Sequence, residues 1–363
     1  MRKASRDQIR YAYAGDMLTL WQARMDEAIL LVNLGSPDSP DPSDVKVYLD
    51  EFLMDKHVID LPYLLRYLII KGIILNVRPK QSAEAYSTIW GEKSPLIDIS
   101  ERVQLKLSEV SEIPIELAMR YGSPSMESTI EKMVSEDSDL KDLIICPLYP
   151  HYAMASTKSV IEQANQIIRN RFPKLTLQYV DPFYNHPDYI SILAQTVEKH
   201  MGDSDYLLFS YHGIPVRHVK KMDPNKDHCF KYKDCCHIPN AQCHSVCYPH
   251  QIKQTTECVA NKLSLKRDQW SWSFQSRLGF DEWLGPSTED EIKRLAESGV
   301  QKLAICCPSF VADCLETLEE IGIRGKEIFM ENGGDEFTLI PCLNDDDEWI
   351  RALYKIIKSN TQR

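Results

Sequence analysis

His212, the acids Asp313 and Glu316, and a tight group of cysteines are the residues of this sequence whose types and spacing best suit proton transfer or metal chemistry. His212 sits in Ser210-Tyr211-His212-Gly213-Ile214-Pro215 at the exit of an apolar run, where Gly and Pro let the backbone turn away. An imidazole with a reference pKa of about 6.5 accepts protons near neutral pH. Taken by itself, a histidine at a strand exit is more often a satisfied polar residue than a catalyst. Asp313 and Glu316 stand three residues apart where a helix is expected to start, hence on one face. That spacing also has the form of a capping box, and from spacing alone capping is the better account. Glu319 and Glu320 lie farther along and read as solvated.

Cys229, Cys235, Cys236, Cys243 and Cys247 fall in one short segment, interleaved with Lys, Asp, His and Pro and almost without apolar residues to fold it. A metal centre would organise such a segment, and four thiolates suffice for one. His228, His237 and His244 keep zinc open as the metal. Of the other cysteines, Cys146, Cys306, Cys307, Cys314 and Cys342 read as small buried hydrophobes, and Cys258 as a packed helix residue.

These residues need a scaffold. Short β-rich apolar runs alternate with segments of helical period, the pattern of parallel βαβ units. Strands are expected at 27–34, 113–120, 142–148 and 175–181, and again at 205–211, 270–275, 301–307 and 327–331. Four and four predict an α/β protein of two similar Rossmann-like domains, each a four-stranded parallel sheet flanked by helices. Their expected bounds are 28–182 and 183–344, after an N-terminal extension 1–27, with the insertion 222–247 in the second domain. A helix at 345–359 is expected to pack back on the first domain. Ligand sites in open parallel sheets form at the carboxyl ends of strands, which is where His212 falls.

The bulk composition narrows the function. With 42 basic and 53 acidic residues, a net charge of −11, there is no positive surplus to neutralise a phosphate backbone, so nucleic acid is not an expected partner. The first 27 residues lack the layout of a secretory signal, so a cytoplasmic location is expected, with reduced thiols. The most apolar stretch, 58–75, is broken by Asp60, Pro62, Arg66 and Lys71 and is not expected to cross a bilayer. Its Leu61, Leu64, Leu65, Leu68 and Ile69 recur at helical spacing. They suit a membrane surface, with peripheral attachment to the inner membrane, or an apolar mouth, or an ordinary core helix.

From about Ala28 to Trp349 the sequence resembles the ferrochelatase family, through LLVNLGSPDSP (30–40), RPKQSAEAYSTIWGEKSPL (78–96), AMRYGSPS (118–125), LYPHYAMAST (148–157), FSYHGIP (209–215), WSFQSRLGFDEWLGPST (272–288), CPSFVADCLETLEEI (307–321) and ENGGDEFTLIPCLND (331–345). The resemblance implies a porphyrin cleft between the two domains and insertion of ferrous iron with release of two protons. His212 would be the base, Glu316 would face it to form a transient iron site, and Asp313 would extend an acidic path. By the same resemblance Leu34, Tyr86, Trp283 and Phe310 would wall the cleft. Arg78, Ser94, Arg120 and Tyr121 would lie near the propionates or along the metal route. Some members of the family carry a [2Fe–2S] cluster, in many of them with C-terminal cysteines. Here residues 350–363 contain none, so the cluster would be internal, on Cys229, Cys236, Cys243 and Cys247 with Cys235 an exchange candidate. Other readings are a cobalt or nickel chelatase of this architecture, or a porphyrin or haem carrier without turnover. The less charged protoporphyrin fits the apolar lip better than coproporphyrin.

Overall fold

A computed structural model describes residues 26–277 and 281–361; the extension expected at 1–27 therefore lies almost wholly outside the described residues. Two four-stranded parallel sheets form the frame, with orders β2-β1-β3-β4 and β6-β5-β7-β8. The first contains β1 (Glu27–Asn33), β2 (Ile115–Met119), β3 (Asp142–Pro147) and β4 (Thr176–Tyr179). The second contains β5 (Tyr206–His212), β6 (Trp270–Gln275), β7 (Lys302–Cys306) and β8 (Glu336–Leu339). In β1 every residue from Ala28 to Asn33 is buried. Helices cover both faces of such a sheet, so its central strands are continuous apolar runs without polar alternation.

The expected strand at 327–331 is instead the helix Lys326–Glu331, and the sheet takes Glu336–Leu339 as its edge. The helix ends at Asn332 and the chain turns through Gly333-Gly334, so the second apolar run is the one that reaches β7. Phe329 is fully buried against the helical side of the sheet, alongside Phe337.

The two halves share a core. One apolar cluster runs from Ile29 and Leu31 of the first sheet through Leu207 and Phe209 of the second to Trp349, Leu353 and Ile357. These last residues belong to the helix Asp347–Thr361, which packs on the helices Pro95–Val110 and Pro187–Met201. Lys106 pins its start through Asp345 and Asp347, at 3.2 and 2.9 Å.

The apolar stretch before the first domain's long helix is not a core helix. The helix Tyr63–Ile69 passes through a π-helical turn, Ile70–Ile74, into the helix Leu75–Ile89. Leu64 and Leu68 are 74% and 65% exposed, while Arg66 is buried and donates to the carbonyls of Ile59 and Leu61. The usual amphipathic arrangement is inverted, and an apolar lip stands out from the protein. Among the described residues no helix is long and apolar enough to cross a membrane.

Candidate functional site

β5 and β6 are in register with His212 opposite Gln275, so the last side chains of the two strands share the carboxyl edge of the second sheet. Gly213 follows, and its amide donates to the Gln275 carbonyl at 2.7 Å. Gln275 then reaches across: its amide nitrogen donates to the Glu316 carbonyl at 2.7 Å, while its amide oxygen accepts from Ser210 at 2.6 Å. This one side chain ties the histidine strand to the segment that carries Glu316.

His212 is half-buried, with its ring 6.2 Å from that of Phe310. Its Nδ1 lies 2.6 Å from the Gly213 carbonyl oxygen. A carbonyl can only accept, so Nδ1 carries a proton, and Nε2 is the nitrogen that bears the lone pair whenever the ring is neutral.

Glu316 opens a π-helical segment, Glu316–Gly325. Bonding from residue i to i+5 puts residues four or five apart on one face, which brings Glu320 beside Glu316. The Glu320 carboxylate accepts from the amide and the hydroxyl of Ser276. Burial is the largest influence on Glu320 and pushes its carboxyl up; the Ser276 bonds oppose this, Glu316 adds to it, and the His212 charge opposes it. Three ionisable groups therefore act on one another here. The expectation that Glu320 is solvated is corrected, and Glu319 is occupied by Arg324 at 3.0 Å. Glu320, Gln275 and Ser276 escaped the sequence reading. Inspecting the residues after β6 by the strand-exit rule applied to β5 would have found the last two.

Asp313 is not a free acid beside Glu316. It is buried, and its carboxylate accepts from Thr317 at 2.9 Å, from Asn344 at 2.7 Å and from the Cys342 amide at 3.3 Å. It knots the loop after β8 to the start of the π segment. The capping-box form is not realised either, because no side chain caps that segment.

Tyr86 faces Glu316 from the first domain: burial, then the Glu316 carboxylate, push its phenol well above the usual range. Leu34, Trp283 and Phe310 are half-buried. Arg78 is exposed, with no ion-pair partner among the described residues. Ser94 is buried under the start of the helix Pro95–Val110. Arg120 and Tyr121 are engaged inside the first domain. Arg120 donates to Ser159 at 2.7 Å and pairs with Asp55, and Tyr121 donates to Asp55 at 2.9 Å. Burial would raise Asp55, but Ser159, the His57 amide and Arg120 together leave it lowered.

The cysteine segment folds around its sulfurs. Sγ of Cys229 lies 3.2 Å from that of Cys243 and 3.8 Å from that of Cys247, all three buried. Cys236, the fourth expected ligand, stands outside this group of three; hydrogen bonding to Cys247 is the main cause that lowers the Cys236 and Cys229 thiols, and the same bonds raise Cys247. Asp223 accepts from the amides of His228 and Cys229, both at 2.8 Å. His228 and His250 each lie within 2.8 Å of a loop carbonyl, and His244 stacks on His250 at 3.6 Å; among the described residues the group placed to hold a metal is the three thiols. This donor set fits a thiolate-bound metal.

The family profile "Ferrochelatase" matches residues 26–361. Among curated relatives, a ferrochelatase of Pseudomonas fluorescens (strain Pf0-1) is 47% identical over 331 residues, 90% of this chain and 96% of that one. A ferrochelatase of Stutzerimonas stutzeri (strain A1501) is 45% identical over 334 residues, 91% and 97% of the two chains. Of solved structures, SirB from Bacillus subtilis with Fe3+ superposes with a TM-score of 0.52 at 11% identity, covering 92% of this chain and 95% of that one. The sirohydrochlorin chelatase SirB from Bacillus subtilis subspecies spizizenii in complex with cobalt gives 0.51 at 12% identity, covering 93% and 96%. These two share the fold. With two parallel sheets, a histidine and paired acids at one sheet edge, and a family match over nearly its whole length, the chain belongs to the ferrochelatase family, the lyases that insert iron into protoporphyrin in haem biosynthesis.

Proposed function

We propose that His212 and Glu316 carry the metal insertion, with His212 Nε2 as the base. The observation that supports this most directly is the His212 Nδ1 contact with the Gly213 carbonyl, which leaves Nε2 free to accept on the sheet edge that also holds Glu316 and Glu320. A free-base porphyrin loses two pyrrole N–H protons as Fe2+ enters, and the four ring nitrogens take the metal. One proton goes to Nε2 and the other to Glu320, whose carboxyl is pushed up by burial and by the neighbouring Glu316. Glu316 and the imidazole also offer oxygen and nitrogen ligands to the iron before it is transferred. The half-buried walls Leu34, Trp283 and Phe310, with buried Tyr86, suit a flat apolar ring, and unpaired Arg78 suits a propionate. Replacing His212 by Ala or Glu316 by Gln is expected to lower turnover by about 100-fold or more in a protein with unchanged melting temperature. Full-rate insertion by either variant would sink this assignment.

The exposed leucines of the lip support arrival of the porphyrin from a membrane surface. Leu64→Ser with Leu68→Ser should abolish co-sedimentation with anionic vesicles and spare turnover in detergent. The thiol set supports a [2Fe–2S] cluster on Cys229, Cys236, Cys243 and Cys247. Such a cluster would hold its own loop together and supply a redox-active centre. Absorption and EPR spectra of anaerobically purified protein, before and after reduction, separate it from zinc, which is silent in both.

A further inference from the structure

Tyr248 is the residue directly after Cys247 and the first of the helix Tyr248–Lys262, for which Cys247 is the N-cap. Its hydroxyl lies 2.9 Å from the His212 carbonyl oxygen and 2.8 Å from Ser309 Oγ. The His212 amide in turn donates to Ser309 Oγ at 3.3 Å. Only one assignment of protons satisfies all three contacts. The Tyr248 hydroxyl has a single hydrogen and the carbonyl can only accept, so Tyr248 donates to His212 and accepts from Ser309. Ser309 accepts from the His212 amide, and the ring of hydrogen bonds closes on both backbone groups of the histidine.

The surroundings leave Tyr248 little freedom. Its ring is buried and meets the edge of His151, from the first domain, at 5.9 Å. His151 also meets Tyr211, the residue before His212, at 5.5 Å. Gln251, one turn on, accepts from the Tyr152 amide and donates to the carbonyls of His244 and Ser245 inside the cysteine loop. Along its own chain Tyr248 is joined directly to Cys247, whose Sγ sits among the converging sulfurs.

We propose that Tyr248 is a positioning residue that transmits the state of the four-thiol centre to the backbone of His212, so that loss of metal from the cysteines slackens the base by releasing one edge of this hydrogen-bonded ring. The inference rests on His212 being the base and on a metal held by the cysteines. It explains why the cysteine segment is inserted between the strand that ends at His212 and the helix that braces it.

The test uses the full-length chain as purified and after removal of its metal by a chelator, in wild type, Tyr248→Phe and Ser309→Ala. Tyr248→Phe keeps the ring and deletes only the hydroxyl. It should lower kcat about 5- to 30-fold, the scale of one lost buried hydrogen bond, with porphyrin KM within about twofold and the absorption spectrum of the thiol centre unchanged. Ser309→Ala, which leaves the helix untouched, should act in the same direction. The coupling is read apart from activity, by NMR of histidine-labelled protein with the His212 imidazole signal assigned by its loss in His212→Ala. Metal removal should shift that signal in wild type and leave it in place in Tyr248→Phe. Wild-type kcat in Tyr248→Phe, or an equal shift of the His212 signal in both proteins, would overturn the proposal. Full turnover in His212→Ala would instead overturn the underlying assignment of the base.

Discussion

β1 and β5 hold the same place in sheets of the same order, and each runs out into a glycine pressed on a neighbouring carbonyl. A Cβ at Gly35 would stand 1.8 Å from the Tyr121 oxygen, and one at Gly213 would stand 2.7 Å from the Gln275 oxygen. What surrounds these equivalent exits differs. In the first sheet the polar groups satisfy one another: Asn33 donates to Ser100 at 3.0 Å, and Asp55, Arg120, Tyr121 and Ser159 form a closed cluster. In the second, backbone and amide groups take the structural bonds through Gln275 and Ser309, and the ionisable ends of His212, Glu316 and Glu320 stay close enough to act on one another. A duplicated frame thus yields one half whose polar groups close on one another and one half whose ionisable groups gather at the sheet edge, where the proposed chemistry lies. A polar residue at a strand exit is informative only once its partners are counted.

The sharpest break of this contrast is a methyl group at each glycine. Gly35→Ala should give no folded protein on expression, because the contact is far inside van der Waals range and its φ of +105° disfavours any side chain. Gly213→Ala should fold, displace the Gln275 edge and lower kcat more than melting temperature. Next in size is Asp55→Ala, which strands the Arg120 guanidinium. It should cost about 3–5 kcal/mol in urea unfolding, with turnover reduced far less than in Glu316→Gln.

A third test lies between the halves. Burial holds His151 down at about 3, so it folds as the neutral ring. The unfolded chain binds the extra proton below about pH 6.5, and stability is lost as pH falls from there toward 3, at about 1 kcal/mol per pH unit at the steepest. In His151→Gln the pH dependence of unfolding between 7 and 4 should flatten. The smallest effect is expected at Asp60, which joins the base of the lip to Arg217 at 2.6 Å, and to Lys221, in the helix Val216–Met222. Burial would raise this carboxyl, but Lys221, His218 and Arg217 hold it at about 2. Its contribution is present above about pH 4 and fades as pH falls toward 2. With solvent-screened partners it amounts to about 1 kcal/mol, read as the difference in melting temperature between wild type and Asp60→Asn across that range.

Much of this was legible in the residues. Seven of the eight strands stand where apolar β-rich runs predict them, because strands buried on both faces leave an unmistakable signature. His212 and Glu316 were reached through a strand exit and a family motif. The cysteine centre announced itself by the density of thiols in a segment with nothing else to fold it. What stayed hidden depends on partners distant in sequence. Glu320 looks solvated until Ser276 arrives from the end of β6, and Asp313 looks like a helix cap until Asn344 arrives from the loop after β8. The lip leucines stay open between a membrane surface, an apolar mouth and a core helix, because hydrophobicity alone does not reveal that Arg66 is the residue turned inward.

The helix Asp347–Thr361 completes the apolar cluster common to both sheets, with Trp349, Leu353 and Ile356 wholly buried. During synthesis these residues leave the ribosome after every strand has emerged, so each half waits with an uncovered greasy seam until the helix docks. Nascent chains stalled before Trp349 should be favoured clients of chaperones that hold exposed apolar surface, and premature stop codons there should yield aggregates where a shorter but working enzyme could have been expected.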